Sequence, residues 1–185
     1  MRLLITGLLA AASLACANPA QAADNLDCMT SGCSAADQGL LDAFLADFDY
    51  RGDLAELEVI EPVIAKRMTD CAAQHGWSLA ARTAAVEYRR AALIREGLRL
   101  QSPATPAGLA AMDAAIAATE PEILGNSIEA MAAGGSAMNT RSLSVWLPIF
   151  RASGLPMTRE SGEFVGSWIA STFAMQDRRT LFANS

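Results

Sequence analysis

The sequence predicts an all-α protein: a single-domain helical bundle of six or seven helices with short connections. Three observations lead to this prediction. Apolar residues recur at helical spacing along most of the chain, capping residues precede several of these segments, and strand-like alternation is nearly absent. Helices with one apolar face bury it by packing against one another, so a bundle is the expected architecture.

The N-terminal 22 residues have the three parts of a secretory signal peptide. Arg2 provides the charged start, a short apolar run follows, and Ala20-Gln21-Ala22 forms the small-x-small end. We predict cleavage after Ala22, which leaves 23–185 as one helical domain with 23–33 as an N-terminal arm. Cys16 is an alternative lipidation site, but a lipobox normally has an aliphatic residue three positions earlier, where this chain has a serine.

Composition limits the location and the partners. The signal peptide contains one of the 14 basic residues, so 13 basic residues remain against 20 acidic ones, and the mature charge is about −7. Nucleic acid is excluded as a partner, because phosphate binding needs a basic face. Later apolar runs are far shorter than the roughly 20 residues of a membrane helix. We therefore expect a periplasmic or secreted protein without a transmembrane segment, whose partner is an unknown protein or small molecule of the bacterial envelope.

The first half of the domain contains three predicted helices. Ser34 with Asp37 resembles a capping box, and a helix follows it. Its apolar positions are Leu40, Leu41, Phe44, Leu45 and Phe48. A second helix restarts at Asp53, and its stripe consists of Leu54, Leu57, Ile60, Ile64, Met68 and Cys71. Pro62 predicts a kink or a fresh start near Glu61, and Gly76 ends this segment. Ser78 caps the longest helix, which extends to about Leu100.

The second half contains the remaining helices. Thr105-Pro106 is a strong helix start, because proline suits the first helical position. That helix has apolar residues Leu109, Met112 and Ile116, and Glu120-Pro121 closes or reopens it. The next segment continues to the Gly134-Gly135 stop. Leu143 to Phe150 contains Pro148 and fits either a kinked helix or a buried extended segment. Thr158 caps a last helix, which is built on Phe164, Val165, Trp168, Ile169 and Phe173.

Three cysteines remain after cleavage, Cys28, Cys33 and Cys71. In an oxidising compartment two of them are expected to pair. We favour Cys33 with Cys71, or failing that Cys28 with Cys71, since a bridge that closes a long loop best restrains the N-terminal arm. A short Cys28–Cys33 loop remains an alternative, because the sequence does not determine connectivity.

Metal and catalytic sites have little support in the sequence. Cys71 and His75 share a helix face, and with Cys28 and Cys33 they would make four soft ligands for zinc. We favour His75 as a basic residue at a helix end instead. No Gly-x-Ser-x-Gly elbow occurs, and His75 is the only histidine available as a base. The prediction is no catalytic residue, no metal and no cofactor.

The segment Asp47 to Glu58 matches an EF-hand calcium loop at its first, third, sixth and twelfth positions. Arg51 replaces an oxygen ligand at the fifth position, and no second hand follows. A helix–helix turn capped by Asp53 is the preferred interpretation. We expect calcium binding weaker than about millimolar, because a cation at the fifth position removes a ligand and repels the metal.

Charge is divided along the chain. Acidic residues dominate 24–61, whereas 78–100 carries five arginines against Glu87 and Glu96. Either these segments lie close together, or they form a dipolar surface that orients a partner. The preferred functional hypothesis is a non-enzymatic interaction or ligand-binding module. The alternative is a hydrolase-type enzyme whose carboxylates converge only in the fold, and a calcium-binding protein through loop 47–58 is a lower alternative.

Overall fold

The computed structural model describes residues 25–51, 57–132 and 140–185, with side chains described for all of these except 131, 132 and 140–142. The predicted signal peptide 1–22, the predicted helix start at Asp53 and the predicted Gly134-Gly135 stop lie outside this part of the chain.

Helices make up nearly all of the described structure, and no described residue forms a strand. A 3-10 helix, Leu26–Thr30, precedes seven α-helices. These are α1 (Ala35–Asp47), α2 (Leu57–His75), α3 (Leu79–Leu100), α4 (Pro106–Ala117), α5 (Pro121–Ala132), α6 (Thr140–Ser153) and α7 (Arg159–Ala183). The all-α prediction is confirmed.

The predicted helix caps are present. The side-chain oxygens of Ser34, Ser78, Thr105 and Thr158 each accept a hydrogen bond from the backbone N–H three residues later. This contact satisfies one of the N–H groups that have no partner in the first helical turn. Gly76 ends α2 with a positive φ of 69°, which favours glycine, and the following N–H donates to the Ala72 carbonyl.

Two helices contain an internal proline. α2 passes through Pro62 without a break, and α6 passes through Pro148. The segment with two open interpretations, Leu143 to Phe150, is therefore helical. Packing explains why both prolines are tolerated, because each has buried apolar neighbours on the same helix, among them Ile60 and Ile149. Their burial offsets the hydrogen bond that proline removes.

The two longest helices, α3 and α7, form the most extensive helix contact and make up the centre of the bundle. The 3-10 helix, α1 and α2 pack on α3. The helices α4 and α6 pack on each other, and α4, α5 and α6 each contact α7. Gly97 of α3 lies directly under the Phe48 ring, and a side chain at that position would overlap the ring.

The described part of the N-terminal arm, residues 25–33, packs against the core, and the disulfide differs from the favoured one. Leu26 and Met29 are buried in the core, so the arm packs as part of the bundle. The disulfide joins Cys28 to Cys71, with their Cα atoms 6.0 Å apart, and Cys33 is a free thiol. The favoured Cys33–Cys71 pairing is thus replaced by the second choice. The reason is tertiary: burial of the 3-10 helix carries Cys28 onto α2.

None of the described helices combines the length and the apolar character needed to cross a bilayer.

Candidate functional site

Four side chains from three helices meet beside the bundle centre: Arg95 of α3, Asp113 of α4, and Trp168 and Thr172 of α7. We call them the Arg95 cluster. Arg95 Nη2 lies 2.7 and 2.6 Å from the two Asp113 carboxylate oxygens, and Trp168 Nε1 donates to Asp113 Oδ1 at 2.9 Å. The guanidinium stacks on the indole, with Arg95 Cζ 4.0 Å from the ring, and Nη1 donates to Thr172 Oγ1. The cluster therefore links three helices.

The sequence of α4 places Asp113 at this junction. Asp113 is the only charged residue of the helix, and its neighbours Met112 and Ile116 are buried. Those two side chains fix the rotation of α4, so the carboxylate lies at the edge of the apolar face. The side chain of Arg95 is 20% exposed and that of Asp113 is 41% exposed, which makes this a partly buried ion pair. The polar groups of the Arg95 cluster form hydrogen bonds with one another.

A cavity of about 620 Å³ lies beside the cluster, between α3, α4 and α7. It contains two carboxylates, Asp113 and Glu96. Glu96 is bonded to Arg99, at 2.9 Å from Nε and 2.6 Å from Nη2, and this guanidinium lowers the pKa of the Glu96 carboxyl. Both carboxylates thus have an arginine partner.

On the opposite side of α7 lies a second surface, which we call the α7 groove. It consists of two adjacent cavities of about 590 and 480 Å³. Tyr50, Ser167 and Ala170 line both of them. Small residues of α7 form the floor: Gly166, Ser167, Ala170, Ser171 and Ala174. Larger apolar side chains form the walls, namely Ile128 and Trp146 at one end and Phe48 and Ile94 at the other.

The turn that contains Tyr50 and Arg51 is attached to α7. The Tyr50 ring contacts Phe164 edge to face, with the ring centroids 5.8 Å apart. Arg51 forms an ion pair with Glu160, and its guanidinium also lies over the Tyr50 ring at 5.3 Å. These contacts hold Tyr50 in place as a fixed wall shared by both halves of the groove.

Trp146 lines the groove and also carries a buried polar atom. The residue is 8% exposed, and its Nε1 is buried without a hydrogen-bond partner among the described residues. A buried donor without a partner costs about 1–3 kcal/mol, and most tryptophans avoid this cost.

The charged residues around the groove are paired. Arg159 Nε lies 2.8 Å from Glu163, and Arg90 makes two bonds of 2.6 and 2.7 Å to Glu61. Glu87 lies 2.8 Å from Arg178, within ion-pair distance but without hydrogen-bond alignment. The Arg90–Glu61 pair joins the acidic region to the arginine-rich helix, which agrees with the first of the two interpretations of the charge pattern.

The residues weighed for metal binding do not come together. Cys28 and Cys71 are bonded to each other, and His75 stacks near Trp77 with ring centroids 6.2 Å apart. In the part of the chain that the structure describes, no three His, Cys, Asp or Glu side chains are placed to hold a metal ion. Residues 52–56 of the calcium-loop segment lie outside that part, so weak calcium binding stays a prediction. The Asp49 carboxylate accepts a hydrogen bond from the Arg51 backbone N–H at 2.9 Å.

Sequence reasoning missed both surfaces. One unused signal could have indicated the Arg95 cluster: Asp113 is the single carboxylate in an otherwise uncharged helix, and such a group needs a partner. A second unused signal could have indicated the α7 groove: Ala170 and Ala174 lie on one face of α7, and their side chains are too small to fill the space beside it. Comparison of the chain with protein-family models, with curated proteins and with solved structures found no significant match.

Proposed function

We propose that the protein is a non-enzymatic, exported binding module that holds a small amphipathic molecule in the α7 groove. The observation that supports this most directly is the shape of the groove: apolar walls above a floor of small residues, with Trp146 at its side. Its two cavities fall within the 300–1,000 Å³ typical of small-molecule sites.

The chemistry of the groove favours an apolar body with few charges. Burying apolar surface contributes about 25 cal/mol for each Å² removed from water. The rim arginines already have carboxylate partners, for example Arg159 with Glu163 and Arg51 with Glu160. An ionic ligand would therefore have to displace an existing pair, whereas an apolar ring or chain leaves these pairs intact.

The cavity beside the Arg95 cluster gives the hydrolase alternative little support. A general acid at neutral pH needs a carboxyl whose pKa is raised. In the cavity that holds two carboxylates, the pKa of Glu96 is instead lowered by Arg99, and Asp113 is bonded to Arg95 and Trp168. These contacts suit a structural role.

Export belongs to the same proposal. It rests on the signal-peptide pattern of residues 1–22, and the Cys28–Cys71 disulfide is consistent with an oxidising compartment. Intact-mass measurement of the native protein should give a chain that begins at Ala23. A full-length chain recovered from the cytoplasm would contradict export.

Titration with N-phenyl-1-naphthylamine, a neutral aromatic probe whose fluorescence rises in apolar sites, tests the groove. We expect saturable binding by the wild type. Ala170→Leu places a larger side chain on the floor shared by both cavities and should weaken binding at least about tenfold, equivalent to 1.4 kcal/mol. Ala114→Leu is the matched control, because Ala114 is an exposed helical alanine of α4 that lines no described cavity. No saturable binding, or equal affinity in both variants, would refute the groove as the site.

A further inference from the structure

The two cavities of the α7 groove meet at two hydroxyl groups. Tyr50 and Ser167 line both cavities, and the third residue that the cavities share, Ala170, has an apolar side chain. Any side-chain hydrogen bond that a ligand forms at this junction therefore involves the hydroxyl of Tyr50 or that of Ser167.

Ser167 lies in the middle of the side of α7 that forms the floor. It follows Glu163 by four residues and precedes Ala174 by seven, and this helical spacing puts all three on one face. Its side chain is partly buried, its hydroxyl oxygen is not completely buried, and in the described part of the chain no group bonds to that hydroxyl. The Ser167 hydroxyl is therefore free to form a hydrogen bond in the groove.

The Tyr50 hydroxyl is occupied as an acceptor but not as a donor. Its oxygen accepts from Nε and from Nη2 of Arg51, each 3.3 Å away. Its own hydrogen has no acceptor among the residues that the structure describes. Hydrogen bonds in a chain polarise one another, so the bonds from Arg51 strengthen Tyr50 as a donor.

The charged side chains that line the groove are engaged in ion pairs. The pairs are Arg51–Glu160, Arg159–Glu163, Glu87–Arg178 and Arg90–Glu61. A charged ligand group would have to break one of them. A neutral donor would match only Ser167, because the Tyr50 oxygen already accepts from Arg51. A carbonyl oxygen, which has two lone pairs, matches both hydroxyls.

The groove extends from this junction in two directions. At the 1.5 Å rise of an α-helix, the floor extends about 6 Å from Ser167 to Glu163 and about 10 Å from Ser167 to Ala174. Apolar walls flank the floor at both ends. A molecule that fills the groove therefore needs an apolar group on each side of the atom that contacts the hydroxyls.

Given the binding proposed for this groove, we infer that the ligand is a neutral carbonyl compound, a ketone or an ester, with an apolar group on each side of the carbonyl. The carbonyl oxygen accepts hydrogen bonds from Tyr50 Oη and Ser167 Oγ, and the two apolar groups occupy the two cavities. This class is narrower than apolar molecules in general, because the hydroxyls select for one acceptor in the middle of the molecule.

Displacement of N-phenyl-1-naphthylamine from the folded protein measures the affinities of two competitors. Dibenzyl ketone has a carbonyl between two benzyl groups, and its hydrocarbon analogue has a CH₂ group at the same position. The ratio of the two affinities is the carbonyl preference. We expect Tyr50→Phe and Ser167→Ala each to lower this preference at least about threefold, because each variant removes a hydrogen bond to the ketone and none to the hydrocarbon.

Tyr88→Phe and Ser127→Ala are the matched controls. Tyr88 also accepts a hydrogen bond from an arginine that lies over its ring, and the Ser127 hydroxyl donates to the Ile123 carbonyl within its helix. Neither residue lines the two cavities of the groove. Both controls should keep the carbonyl preference of the wild type. Circular dichroism verifies that all four variants fold.

The outcomes separate the ligand class from the proposed function. If the wild type binds the probe saturably but the carbonyl preference is unchanged in either groove variant, or falls equally in the controls, the carbonyl inference is overturned and the groove remains a binding site. If the wild type shows no saturable binding of the probe, the proposed function is refuted and the ligand class with it.

Discussion

The two sides of α7 use their polar groups in opposite ways. On one side, Trp168 and Thr172 are buried and bonded to Arg95 and Asp113 of neighbouring helices. On the other side, Ala170 lies on an open groove, and the charges at the rim are paired in solvent. The same helix therefore contributes stability on one side and free surface on the other. We expect substitutions in the Arg95 cluster to change the free energy of unfolding and substitutions in the groove to change ligand affinity.

The largest expected effect in the cluster comes from Asp113→Asn. The Asp113 carboxylate accepts hydrogen bonds from both Arg95 and Trp168. In the variant a neutral amide takes its place, and the amide N–H group then faces one of these two donors. We expect a loss of about 2 kcal/mol in the free energy of unfolding, since bonds to charged groups contribute about 1.5–3 kcal/mol when partly buried. Urea denaturation with an unchanged m value measures it.

Glu163→Gln is the control for Asp113→Asn on the groove side. It removes the partner of Arg159, whose side chain is 93% exposed. Exposed pairs contribute about 0–1 kcal/mol, so we expect a change below about 0.5 kcal/mol. Equal losses for the two variants would mean that the two sides of α7 do not differ in this respect.

A smaller effect is expected for Thr172→Val, with Thr180→Val as its control. Both hydroxyls donate to the carbonyl four residues earlier, at 2.7 Å for Thr172 and 3.0 Å for Thr180. Only Thr172 also accepts a bond from Arg95. We expect Thr172→Val to lower the free energy of unfolding by about 1 kcal/mol relative to Thr180→Val. A difference near zero would show that the Arg95 contact adds no stability.

The smallest expected effect depends on pH. Because Arg99 holds the pKa of folded Glu96 below its unfolded value, the stabilisation is fully present above the unfolded pKa and is lost as pH falls through the folded pKa. Solvent screens this exposed pair, so Glu96→Gln should cost only about 0.3 kcal/mol at pH 7. The cost should vanish below about pH 3. Chemical denaturation at both pH values measures it, and a cost that persists at low pH would exclude the ion pair as its cause.

The helices themselves could be predicted from the sequence. Ser34, Ser78 and Thr158 were identified as caps, and Thr105-Pro106 as a helix start, because the bond that each cap makes lies within three residues. The apolar stripes of the helices are equally local, since they repeat every three or four residues. Even the helix that contains Pro148 was among the alternatives, although its local signals did not decide between helix and extended chain.

What the sequence by itself determined is therefore the helical class, the starts and ends of most helices, and the set of cysteines available for pairing. Tertiary structure alone decided which cysteine bonds to Cys71, because burial of Leu26 and Met29 fixes the position of Cys28. It also decided that Arg95 meets Asp113 and Trp168, positions 18 and 73 residues further along the chain. Contacts at such separations depend on how each helix is rotated when its apolar face is buried, and local periodicity does not contain that information.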